Sequence, residues 1–193
     1  ENVRAVLDAA GHRDLPVYRV AAREIGCSLA DSAEALAYGA WLGRAAETPA
    51  SLHVIYINTS LEVKAHSHGC IPTITCTSSN VLQTILQASS QIPGLSIWYG
   101  PDTYMGANLK EMLLQFATLG NDEIAAIHPA HSQESIRGLL DRFSYFPQGS
   151  CVVHHMFGAE VVEQVRREHG SAYHTAHLEV PGEMFALAAE AQR

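Results

Sequence analysis

One segment limits the possible folds more than any other. Leu52-His53-Val54-Ile55-Tyr56-Ile57-Asn58 is apolar and β-branched, and it breaks off into the polar Asn58-Thr59-Ser60. A run of that kind predicts a strand buried on both faces, which is the habit of parallel sheets. The order strand, polar loop, helix then recurs. Thr73-Ile74-Thr75-Cys76 and Leu95-Ser96-Ile97-Trp98-Tyr99 read as two more strands, with shorter candidates at Pro16-Val17-Tyr18-Arg19, Cys151-Val152-Val153-His154 and Ala172-Tyr173-His174-Thr175. Helical stretches lie between them, from Ser28 to Ala46, Val81 to Ser90, Ala107 to Thr118, Ala159 to Glu168 and Glu183 to Ala191. Pro93-Gly94, Gly100-Pro101-Asp102 and Pro147-Gln148-Gly149 punctuate the turns. This alternation predicts an α/β chain, an αβα sandwich on a parallel sheet.

With 193 residues, 47% of them hydrophobic, there is enough apolar surface for one packed core and parts of two. A net charge of −8 argues against nucleic-acid or membrane-surface binding, which needs basic patches. An anionic ligand would then have to be held by local donors such as helix N-termini and hydroxyls. No apolar run approaches the roughly 20 residues that span a bilayer, so a soluble protein is expected. Four cysteines, Cys27, Cys70, Cys76 and Cys151, do not look like a secreted disulfide scaffold. A reducing compartment fits better, with thiols free for metal. The first 26 residues and the last 42 could not each bury a core, which implies a piece of a longer chain.

In α/β sheets ligands sit at the carboxyl ends of strands, and several polar groups fall there. Tyr56 and Asn58 end the strongest strand; the plainer account is a packed ring and a turn-forming amide. Thr77-Ser78-Ser79-Asn80 precedes a helix and could cradle an anion, or simply cap it. Cys27 stands just before a helix, where its thiolate is favoured by the dipole. Cys151 opens Cys151-Val152-Val153-His154-His155. The two cysteines are too far apart for a local cluster motif, so only the fold could make them co-ligands. His177 and Glu179 share a face if a strand runs through them, as an acid–base pair or a structural ion pair. His66-Ser67-His68 with Cys70 reads as a loop rather than a metal clip.

Taken together these segments resemble quinolinate synthase in its plant-like form. Gly26-Cys27-Ser28-Leu29-Ala30-Asp31 resembles the first cluster-cysteine motif of that family. Tyr56-Ile57-Asn58-Thr59-Ser60-Leu61-Glu62-Val63-Lys64-Ala65 resembles its most specific signature, and Cys76-Thr77-Ser78-Ser79-Asn80 the motif that follows. Cys151-Val152-Val153-His154 is similar to the second cluster cysteine with its histidine. Ala176-His177-Leu178-Glu179, continued by Pro181-Gly182-Glu183-Met184-Phe185, is similar to the His-x-Glu segment. The likeness covers essentially the whole chain.

The resemblance implies three αβα domains about a pseudo-threefold axis, each giving one cysteine to a [4Fe–4S] cluster that leaves one iron without a protein ligand. Residues 1–27 would be the tail of the first domain, 28–150 the second, and 151–193 the start of the third. It implies an enzyme of NAD (pyridine nucleotide) biosynthesis, a transferase. Iminoaspartate would condense with dihydroxyacetone phosphate to give quinolinate, the open iron serving as a Lewis acid. By residue-to-residue match Cys27 and Cys151 are metal ligands, and Tyr56, Asn58, Ser78, His154, His177 and Glu179 bind substrate. Tyr56, His177 and Glu179 would be catalytic, Glu179 as the base. The implied partners are L-aspartate oxidase, a cysteine desulfurase and further copies of the chain, with no nucleic acid and no membrane. The implied location is the plastid stroma in a plant or alga, and otherwise the cytoplasm. The family's third cluster cysteine has no counterpart here, so this chain alone is expected to be inactive. Two other readings compete: an isolated, non-catalytic αβα domain, and a zinc protein using Cys27, Cys151 and His154.

Overall fold

The structure is a computed structural model that describes residues 2–18 and 26–190. Its centre is a sheet of four parallel strands, β1 (Ser51–Tyr56), β2 (Thr73–Cys76), β3 (Ser96–Gly100) and β4 (Phe143–Tyr145), in the order β2-β1-β3-β4. The register pairs Tyr56 with Cys76, Ile55 with Gly100 and Tyr99 with Tyr145. Helices in chain order are α1 (Asn2–Ala9), α2 (Ser28–Ser32), α3 (Leu36–Glu47), α4 (Leu61–Cys70), α5 (Val81–Gln91), α6 (Thr103–Phe116), α7 (Asn121–Ile127), α8 (Gln133–Asp141), α9 (Val152–His155), α10 (Ala159–His169) and α11 (Gly182–Glu190). The expected αβα sandwich is therefore present.

Strand alternation divides the buried side chains between two faces. Val54, Ile97, Tyr99 and Phe143 pack against Val81, Ile85 and Leu86 of α5, Met105, Leu109 and Leu113 of α6, and Ile136 and Leu139 of α8. The opposite face is smaller and aromatic, with Tyr38, Trp41 and Leu42 of α3 against Trp98 and Phe146. His53 is completely buried on that face, where the Tyr38 hydroxyl bonds its Nε2 at 2.7 Å and its Nδ1 lies 3.3 Å from Thr73 Oγ1. Burial lowers its pKa to about 3, so the ring is neutral.

Several expectations need correcting. Ser28 to Ala46 is two helices, α2 and α3, broken at 33–35, where Ala33, Glu34 and Ala35 close onto the end of α2 with single-turn bonds. Residues 16–18 form no strand, and Arg19 lies outside the described residues. Cys151 to His154 is not a strand: Cys151 precedes the one-turn helix α9, closed by His155 N–H to Cys151 O at 3.0 Å. Ala172 to Thr175 is likewise irregular. His66, Ser67, His68 and Cys70 lie in α4 rather than a loop, because Ser60 caps that helix by accepting from the Val63 N–H at 3.2 Å. Helices α7 and α8 and strand β4 complete the last βα unit of the sheet without having been expected. Ala191, the last residue of the expected final helix, also lies outside the described residues.

Candidate active site at the carboxyl edge of the sheet

The connection leaving β1 runs to β2 on one side of the sheet and the connection leaving β3 runs to β4 on the other. That reversal opens a crevice at the carboxyl ends of β1 and β3, where loops cannot cross each other. Tyr56 is the last residue of β1 and Asn58 lies in the turn beyond it. The turn is fastened from both sides. Thr59 Oγ1 donates to Tyr56 O at 2.9 Å, and the Lys64 ammonium donates to the carbonyls of Ile57, at 2.9 Å, and Thr59. Lys64 thus explains its place in the signature as a brace for the loop that carries Asn58.

At the end of β2 the polar run splits by role. Asn80 Oδ1 accepts from the Thr77 N–H at 2.7 Å, and the Thr77 and Ser79 hydroxyls meet at 2.8 Å. Neither hydroxyl nor the amide caps α5 through its side chain. Ser78 alone turns away and faces His177 Nε2 at 3.5 Å.

Cys27 and Cys151 hold the same position, each directly before a one-turn helix. Both are half-buried and unbridged. The Asn58 amide donates to Cys27 Sγ at 3.4 Å, and the Ser28 hydroxyl donates to Ser150 O at 3.2 Å, so the neighbours of the two cysteines touch. The loop to Cys151 is bolted to the start of α6 by Thr103 N–H to Gly149 O at 2.7 Å and Gly149 N–H to Thr103 Oγ1 at 2.9 Å. Only glycine fits at 149, since a Cβ would collide with the Pro101 carbonyl oxygen.

Glu179 is the focus of the site. It is 2% exposed, in a turn closed by Val180 N–H to His177 O at 3.3 Å. The expected strand through 177–179 is absent, and the turn instead brings His177 Nδ1 into contact with Glu179 Oε2. His154 Nε2 approaches the same oxygen to 4.0 Å, and the two imidazoles stack with centroids 5.4 Å apart. The three donor atoms lie within 4.8 Å of one another. His154 therefore sits with His177 and Glu179 rather than in a zinc-like set with both thiols. Burial and the adjacent Glu179 push the Tyr56 phenol far above its usual range, against a smaller opposing effect of Ser78, so it stays a neutral donor.

One carboxyl group at this edge carried no expectation. Asp102 caps α6 by accepting from the Met105 N–H at 2.9 Å, while its buried Oδ2 has no hydrogen-bond partner among the described residues. Burial raises its pKa to about 6, with Glu179 adding to the rise and backbone N–H groups opposing it. In the sequence Gly100-Pro101-Asp102 reads as turn punctuation, and only the capping signal before α6 marks Asp102.

With that geometry in view, the profile of the family described as quinolinate synthetase A protein matches residues 17–192. The chain belongs to that family. It is 58% identical over 193 residues to the chloroplastic quinolinate synthase of Arabidopsis thaliana and 56% identical over 192 residues to that of Oryza sativa subsp. japonica. Each match covers all of this chain and 27% of the relative, so the chain spans about a quarter of those proteins. It is also 32% identical over 154 residues to the quinolinate synthase of Nostoc punctiforme, covering 80% of this chain and 36% of that protein. No solved structure gives a significant match. Of the residues in the motifs singled out above, Tyr56, Asn58 and Ser78 lie at or just beyond the carboxyl ends of β1 and β2, and Cys27 and His177 contact them.

Proposed function

We propose that this chain forms part of the active site of a quinolinate synthase, which condenses iminoaspartate with dihydroxyacetone phosphate and releases phosphate and water. One observation carries the reading. Tyr56, His154 and His177, from distant parts of the sequence, meet at the buried carboxyl group of Glu179, with Ser78 against His177 and with Asn58, two residues beyond Tyr56, bonded to Cys27.

The donor set fits an iron–sulfur cluster. Cys27 and Cys151 are free thiols on touching segments, and the Asn58 N–H offers the kind of donor that steadies a thiolate. They would hold the [4Fe–4S] cluster, which supplies a Lewis acid when bound. The remaining groups serve binding and proton transfer. The Ser78 hydroxyl, beside His177 Nε2, is a donor suited to a substrate carboxylate. The neutral Tyr56 phenol donates to substrate oxygen. Glu179 Oε2, sheltered from water, takes the proton and His177 Nδ1 stands ready to relay it.

Residues 1–27, 28–150 and 151–193 are read as the tail, the whole and the start of three successive αβα domains. In support, Val152, Val153 and Met156 of the last part are more than half exposed, an apolar surface suited to cover by more of the protein or by another copy. The chain offers two of the three thiolates and alone should be inactive; a stoichiometric cluster found by iron and sulfide analysis of the isolated chain would contradict this. The chloroplastic names of the plant relatives support a plastid location, in the stroma, with L-aspartate oxidase and a cysteine desulfurase as suppliers of imine and sulfur. The functional test is Glu179→Gln in the full-length enzyme. Turnover should fall by roughly 10²- to 10⁴-fold with the cluster absorbance intact; full turnover would remove Glu179 from the mechanism.

A further inference from the structure

Asn108 lies in the interior of α6, on no motif singled out in the sequence, and is 2% exposed. Asparagine is a poor choice for a buried helix interior, because its amide competes with the backbone and must find partners. It finds two. Asn108 Nδ2 donates to Leu178 O at 2.9 Å and to Val180 O at 2.8 Å, the carbonyls on either side of Glu179. Residues 173–181 belong to no helix or strand, so these carbonyls lack the ladder that would hold them elsewhere.

We propose that Asn108 is a positioning residue that fixes Glu179 by clamping to α6 the carbonyls of the residues on either side of it. The proposal rests on the reading of Glu179 as the base. The clamp matters because Glu179 sits on a segment with no helix or strand to fix its backbone, although the Tyr56 hydroxyl reaches its carboxyl group. Glu179 Oε2 makes no bond of good hydrogen-bond geometry, only contacts with two imidazoles. A donor pair straddling the residue brackets the backbone torsions of Glu179 and Val180 together, which no single bond to one carbonyl would do. It also refers Glu179 to the helix whose first turn is capped by Asp102 and tied to the loop of Cys151. A shift of α6 would therefore move the carboxylate and that loop together.

The test uses the full-length enzyme with Asn108→Leu, which removes both donors at similar volume, and Asn108→Asp as a second variant should the first fail to fold. Leu139→Ala, in the core cluster on α8, controls for general loss of stability. Two readouts are taken: hydrogen exchange at the Glu179 and Val180 amides, and kcat measured separately from KM. Losing the clamp should speed exchange at those amides by roughly tenfold or more while β1 and β3 exchange as before. It should lower kcat by about tenfold or more with KM little changed. Combined with Glu179→Gln, it should cost nothing further, since the two residues act as a unit. Leu139→Ala should loosen the core and leave kcat alone. Unchanged exchange at 179–180, or losses from Asn108→Leu and Glu179→Gln that multiply, would overturn the proposal. Full activity of Glu179→Gln would instead defeat the reading of Glu179 as base, while the exchange arm would still report on the clamp.

Discussion

The side-chain amide of Asn58 donates to the sulfur of Cys27 at 3.4 Å, joining the turn after β1 to a segment 31 residues earlier. Neither residue needs the other for its local conformation: Asn58 sits in a turn held by Lys64, and Cys27 stands before α2. An N–H aimed at sulfur favours the thiolate over the thiol.

The first prediction follows from that contact. In the isolated chain, Asn58→Leu should slow alkylation of Cys27 by iodoacetamide at pH 7.5 by a few-fold, since hydrogen bonds to a charged group are worth about 1.5–3 kcal/mol at most and this one is long. The rate at Cys151, which Asn58 does not touch, should not change. Mass spectrometry of the labelled peptides reads both rates at once. Equal rates at Cys27 with and without the amide would show that the contact has no influence on the thiol.

Asp102 gives a pH-dependent prediction. Its folded pKa, about 6, is above its ordinary value of 3.8 because burial penalises the charge. A raised carboxyl pKa means that the folded state binds the proton more tightly than the unfolded chain. The group therefore favours folding below about pH 4 and progressively opposes it as pH rises through about 6. Asp102→Asn keeps the acceptor for the Met105 N–H and removes the charge. It should match the parent protein near pH 4 and be more stable by on the order of 2 kcal/mol above pH 7. Urea denaturation across that range reads the difference, and a constant gap from pH 4 to 8 would contradict it.

His53 has the opposite sign. Its folded pKa, lowered to about 3 from 6.5, means that the unfolded chain takes up the proton first. The stability it supports is complete above about pH 6.5 and drains away as pH falls toward 3, by on the order of several kcal/mol in all. His53→Gln should lower stability at neutral pH, because the Tyr38 hydroxyl and Thr73 lose their fitted partner, and should flatten the acid limb between pH 6.5 and 4. Thermal denaturation at several pH values measures both effects. An unflattened limb would place the acid sensitivity elsewhere.

The parts of the site readable from sequence were those tied to local patterns. The β1 strand ends at Tyr56, one residue before the apolar run gives way to Asn58-Thr59-Ser60, so Tyr56 and Asn58 are placed at the sheet edge by sequence alone. The proximity of His177 and Glu179 was expected for the wrong reason. Strand alternation would place them on one face, whereas a turn closed by Val180 N–H to His177 O brings them together. Asn108 was invisible because its role depends on which irregular segment crosses α6, a fact set by packing at 70 residues' separation. Helix α4 is not legible in the sequence, because its polar residues, His66, Ser67 and His68, mask the helical period and the Ser60 cap that starts it looks like the end of a strand loop.

That misreading of α4 leads to the last prediction, the order in which the four thiols react. A helix puts residues four apart on one face, so His66 and Cys70, expected in a loop, are instead neighbours with Nε2 3.9 Å from Sγ. Cys70 is exposed, with an imidazole in reach to take the thiol proton. Cys76 is the reverse case. It is 1% exposed against the core, and burial with the nearby Glu179 charge pushes its pKa to about 12, so thiolate is scarce at neutral pH. Since only the thiolate attacks, a disulfide reagent such as dithionitrobenzoate added to the native chain should modify Cys70 first, Cys27 and Cys151 more slowly, and Cys76 only on unfolding. His66→Ala should slow Cys70 alone. Peptide mapping of a reaction stopped at one equivalent identifies the first site. Modification of Cys76 ahead of Cys70 in folded protein would mean that the sheet edge opens far more readily than its packing allows.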